Sequence, residues 1–110
     1  MTAILEKNLA RIEDACRRYG VTRLSAFGSA ARGDDRSGKS DVDLIVEFGP
    51  SPDGRGLADR YLDFAEAAEQ VLGRKVDLLT ENSIRNPVFR LQVEADRKVL
   101  YEARAEKAAG

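Results

Sequence analysis

The chain has 110 residues, a net charge of -1, 43% apolar and 34% charged residues, one cysteine and no histidine. This composition suits one compact domain. It excludes an internal disulfide, Ser-His-Asp or Cys-His catalysis and the usual zinc ligand sets. Residues 3 to 19 read as a helix, with Leu5, Leu9, Ile12, Cys16 and Tyr19 on one stripe and Gly20 as its stop. Cys16 falls on that stripe, so it reads as a small buried core residue rather than a reactive thiol. The same N-terminal segment is charged throughout and has no signal-peptide core. No stretch reaches the ~20 apolar residues that span a bilayer, so no membrane partner and a cytoplasmic location are expected.

Residues 22 to 27 read as a short strand that runs into Gly28-Ser29. Residues 30 to 40 are polar, broken by Gly33 and Gly38, and read as a short helical turn and a loop. Residues 41 to 48 (DVDLIVEF) are the clearest strand. Its period of two sends Val42, Leu44, Val46 and Phe48 to one face and Asp41, Asp43, Ile45 and Glu47 to the other. Residues 49 to 56 form a loop rich in glycine and proline. Residues 57 to 72 read as a helix with Leu57, Tyr61, Phe64, Ala68, Val71 and Leu72 as its apolar stripe, ended by Gly73. A third strand is expected over 75 to 80. A helix capped by Asn86 with Pro87 at its first position should then run to about residue 97. On that helix Ile84, Val88, Leu91 and Ala95 form the expected core stripe, while Phe89 and Val93 form a second, offset one. Residues 98 to 101 suit a short last strand, and the tail from 102 to 110 is expected to fray.

The expected fold is α/β in the α+β sense: a small mixed sheet with helices packed on one face. The other face would carry Asp41, Asp43 and, if the register suits, Asp77. Two carboxylates on one strand face repel unless a cation lies between them. A glycine turn opening a helix presents free N–H groups to a phosphate. Three converging carboxylates would bind two divalent cations, the arrangement used for in-line displacement at phosphorus. Hard oxygen ligands favour magnesium, with manganese as an alternative. Such chemistry rests on positioning and charge neutralisation, so the lack of histidine does no harm.

The stretch FGSAARGDDRSGKSDVDLIVEF resembles the signature of the polymerase-β-type nucleotidyltransferase superfamily: Gly-Ser, roughly ten residues, Asp-x-Asp, then a carboxylate on a later strand. With GRKVDLLT, it is similar to the minimal nucleotidyltransferases that act as antitoxins to HEPN-domain toxins. The resemblance covers about residues 22 to 101 and makes the chain a single domain: an N-terminal helix over 1 to 20, the core over 22 to 101, then the tail. It implies that Gly28 and Ser29 bind the β- and γ-phosphates of ATP and that Asp41 and Asp43 ligate two magnesium ions. Asp77 would ligate the catalytic metal and help activate the acceptor hydroxyl. Arg32 and Lys39, in the connecting segment, are candidates to touch phosphate, with solvated surface charge as the plainer reading.

The implied activity is transfer of AMP from ATP to a hydroxyl of a partner protein, a HEPN toxin. A chain of this size leaves the acceptor site to be completed by that partner or by a second copy. The alternatives are an antitoxin that neutralises its partner by binding alone, and a small-molecule enzyme of the aminoglycoside-modifying kind. Interspersed charges argue against strong nucleic-acid binding.

Overall fold

Residues 2–33 and 41–103 are described in a computed structural model of the protein. The elements in order are α1 (Ala3–Lys7), α2 (Leu9–Tyr19), β1 (Val21–Ala26), α3 (Gly28–Arg32), β2 (Val42–Phe48), α4 (Leu57–Leu72), β3 (Val76–Thr80), a 3-10 turn (Glu81–Ser83), α5 (Pro87–Asp96) and β4 (Lys98–Glu102). Gly38, Lys39 and most of the loop expected over 30 to 40 lie outside the described residues, as does the tail beyond Ala103.

The expected N-terminal helix is two helices. Asn8 leaves helical geometry at φ -111° and ψ 15°, and its side-chain amide donates to the Ile4 carbonyl at 3.0 Å. A short polar side chain that binds its own backbone competes with the helical ladder in this way. The apolar stripe survives the break: Leu5, Ile12 and Cys16 are buried, with Leu9 and Tyr19 packed against them.

The four strands lie in the order β3-β2-β1-β4. Strand β1 is antiparallel to β2 and β4, whereas β2 and β3 run parallel. A parallel neighbour requires a crossover, and α4 supplies it. Val42, Leu44 and Val46 pack with Phe64, Ala68 and Leu72 of α4 and with Ile12 and Cys16 of α2. Burial pushes the Cys16 thiol up to about 12, so it is inert at neutral pH.

Two features of the helices differ from expectation. The mixed α+β sheet stands, but α5 lies on the opposite face from α2 and α4: its Val93 packs with Phe27, Ile45 and Ile84, and Phe89 joins them. Apolar Ile45 and Phe27 interrupt the carboxylate face, and α5 covers them. Ile84, which precedes the helix, is buried as expected, but within α5 the two stripes are exchanged. Phe89 and Val93 face the sheet, while Val88 and Leu91 are 63% and 72% exposed. In α4, Leu57 is exposed and Arg60 is buried instead. Arg60 donates to the carbonyls of Tyr19 and Gly49, each at 3.0 Å, and lies over the Phe48 ring. It ties the end of α2 to the end of β2 through neutral carbonyls.

Candidate active site

The parallel register of β2 and β3 places Val42 beside Val76, Asp43 beside Asp77 and Leu44 beside Leu78. Neighbouring strands are ~4.8 Å apart, so two carboxylates at one level must meet. Asp43 is half-buried and Asp77 is exposed. The Asp43 carboxyl is pushed up to about 6 by its burial first, then by the charges of Asp77 and Asp41, and by a hydrogen bond shared with Asp77. Asp41, exposed, stands just before the strand. The sequence reading thus named a pair that touches and a third carboxylate whose charge reaches it.

The glycine turn docks onto this pair. The Phe27 N–H donates to the Asp43 carbonyl at 3.1 Å. Gly28 then takes φ +64°, and a Cβ built there would lie 2.8 Å from Asp43 Oδ2. Only glycine lets the main chain turn left-handed this close to a carboxylate. Ser29 follows in the first turn of α3, half-buried. Arg32, at the end of α3, is exposed and paired with Asp96 of α5, its Nη1 2.7 Å from Asp96 Oδ2. Lys39 lies outside the described residues.

Magnesium or manganese is tested by the donor chemistry. Burial and the neighbouring carboxylates make ionisation of Asp43 costly in the absence of a cation; a hard divalent ion offsets that repulsion at the same oxygens. Among the described residues no three acidic, histidine or cysteine side chains already close into a ready-made cluster. The residues fit in kind, and the charge of Asp41 already acts on Asp43.

The sequence reading missed an ion-pair cluster beyond the C-terminal end of β3. Glu81 accepts from Arg97 Nη1 at 3.1 Å and from Arg97 Nη2 at 2.9 Å, and also pairs with Arg90. Arg97, with a side chain only 6% exposed, also reaches Glu94 at 2.8 Å and Ser25 Oγ at 3.3 Å. These hydrogen bonds hold the Glu81 carboxyl down to about 2. The Arg90–Glu94 spacing of four was visible in the sequence; the reach of Glu81 across the turn was not. A cavity of about 360 Å³ lies at this end too, lined by Glu47, Leu57, Thr80 and Asn82 among others. From Asp43 to Glu47 is four strand residues, ~13 Å, so the cavity is separate from the carboxylates. No helix among the described residues is long and apolar enough to cross a membrane.

A carboxylate pair against a glycine turn on a mixed sheet is a donor set that suits phosphoryl-group chemistry. Residues 9–101 match the nucleotidyltransferase domain family, and the chain belongs to it. A Methanocaldococcus jannaschii protein described as a candidate protein adenylyltransferase is 38% identical over 84% of this chain and 87% of its own. The protein adenylyltransferase MntA of Thermococcus cleftensis is 31% identical over 76% of this chain and 77% of its own. Among solved structures, one described as a candidate minimal nucleotidyltransferase superposes with a TM-score of 0.65 at 37% identity, covering 89% of this chain and 95% of that one. A toxin–antitoxin complex with AMP-PNP shares the fold with a TM-score of 0.62 at 22% identity, covering 93% of this chain and 79% of that one. So does an MNT antitoxin bound to a tri-AMPylated HEPN toxin of Shewanella oneidensis, with a TM-score of 0.57 at 20% identity, covering 94% and 77%.

Proposed function

We propose that this protein transfers AMP from ATP to a hydroxyl of a HEPN-domain partner and so acts as the antitoxin of a pair. The observation that carries this reading is the Asp43–Asp77 contact at one level of two parallel strands, with the Gly28 backbone against Asp43. The names and complexes of the relatives support the acceptor class. Gly28 and Ser29 offer backbone N–H groups to the β- and γ-phosphates. Asp41, Asp43 and Asp77 would hold two divalent cations, which when bound neutralise the triphosphate charge. Asp77, the exposed member of the pair, faces the acceptor and takes the hydroxyl proton. The hydroxyl oxygen bonds to the α-phosphorus, the bond from that phosphorus to the bridging oxygen breaks, and pyrophosphate leaves. The acceptor is large, and the exposed Asp77 carboxylate opens to solvent, which suits a protein substrate. A cytoplasmic location and an acceptor site completed by the partner belong to the same reading.

The test uses magnesium, α-labelled ATP and the partner toxin. Label on the partner, lost with Asp41→Asn plus Asp43→Asn, is the expected result; an unlabelled partner beside folded wild-type protein overturns it. The exposed stripe of Val88 and Leu91 favours one second reading, neutralisation by binding alone. That reading wins if the double variant still silences the toxin.

A further inference from the structure

We propose that Asp96 is a positioning residue for the nucleotide site: it holds the Arg32 guanidinium where the triphosphate of ATP will lie. The inference rests on the nucleotidyl-transfer reading and names a residue that reading does not use. Arg32 lies four residues after Gly28 in α3, so the two share a helix face. Helical side chains lean toward the N-terminus, so Arg32 leans toward the turn whose backbone meets Asp43. Its Nη1 is 2.7 Å from Asp96 Oδ2, across 64 residues of chain.

Asp96 is itself held in place. Val93, one turn earlier in α5, is fully buried against Phe27 and Ile45. Phe89 meets Phe27 edge-to-face, with ring centres 6.0 Å apart. Phe27 directly precedes Gly28, so the helix that carries Asp96 is anchored on the root of the phosphate turn. The Asp96 side chain is 27% exposed, less than the 48% of Arg32. The fixed carboxylate thus takes part in ordering the long Arg32 side chain, whose rotamer freedom is costly to lose. A guanidinium ordered beforehand binds phosphate oxygens without losing that freedom again. A contact with the β- or γ-phosphate favours ATP over AMP.

The experiment compares MgATP and AMP affinity by calorimetry for the wild type, Asp96→Asn, Asp96→Glu, Arg32→Ala and the Arg32→Ala, Asp96→Asn double variant, with melting temperatures alongside. Asp96→Asn should weaken MgATP about two- to five-fold, the range of a partly exposed charge contact, and leave AMP unchanged. Asp96→Glu should recover part of the loss. In the Arg32→Ala background Asp96→Asn should add nothing. Equal loss of ATP and AMP affinity, full additivity in the double variant, or unchanged MgATP affinity in Asp96→Asn overturns the proposal. Failure of the wild type to bind MgATP overturns the nucleotidyl-transfer reading itself, and this inference with it.

Discussion

Asp43 and Asp77 occupy the same register position of two parallel strands, and burial together with the charges of Asp77 and Asp41 pushes the Asp43 carboxyl up to about 6. The fold holds two like charges together, and a bound cation relieves what the bare protein bears as repulsion.

Removing one charge should therefore stabilise the metal-free protein. Asp43→Asn is expected to melt above the wild type without magnesium. Magnesium at about five times its Kd should stabilise the wild type by about 1 kcal/mol, ~4–8 °C in a domain of this size. The variant should not respond. Calorimetric scans with and without magnesium decide this, and a wild-type curve indifferent to magnesium would sink the metal site.

Gly28→Ala should be costly at a single methyl group. The left-handed φ costs about 1–2 kcal/mol for any residue with a Cβ, and that Cβ would stand 2.8 Å from Asp43 Oδ2. A melting temperature lowered by at least ~4 °C is expected, together with loss of MgATP binding. Unchanged binding would show that the turn does not hold phosphate.

The exchanged faces of α5 give a paired test. Val93→Asp buries a charge among Phe27, Ile45 and Ile84 and should prevent stable folding. Leu91→Asp, at a position 72% exposed, should change stability by no more than about 0.5 kcal/mol. If Leu91→Asp unfolds the protein, the helix is seated the other way round.

The Glu81 cluster sets an acid limit. Glu81 titrates at about 2 in the folded protein, against an ordinary value of 4.5. The unfolded chain binds its proton first, so this stabilisation is fully present above about pH 4.5 and is lost as pH falls toward 2. Glu81→Gln removes it and leaves nearly buried Arg97 with Glu94 as its charged partner and Ser25 as a neutral one, at a cost of about 1–2 kcal/mol at pH 7 after allowance for partial exposure. The gap between variant and wild type should narrow on acidification below pH 4.5. A gap independent of pH would count against the cluster.

The sequence by itself determined the strands and most of the helix ends, and it put Asp41, Asp43 and Asp77 forward as candidates. Alternation in residues 41 to 48 put Val42, Leu44 and Val46 on one face and Asp43 on the other, and the burial of the first three follows it. Asn86 caps α5 through its side chain, accepting from the Val88 and Phe89 N–H groups at 2.8 and 3.2 Å. These features were legible because they depend on local geometry: the period of a strand, or the reach of a side chain to N–H groups two and three residues on. Tertiary structure alone decided the rest. α5 carries two apolar stripes of similar strength, and the patch of Phe27 and Ile45 selected Phe89 and Val93. Arg60 is buried because carbonyls from two distant turns converge on it, and Glu81 is bound because two arginines of the following segment fold back over it. Whether Asp77 meets Asp43 depended on the parallel register, which the α4 crossover and the packing of Val42 and Val76 fix. Contacts between residues far apart in the chain have no periodicity to announce them, and they arise from which surfaces must be covered once the sheet has formed.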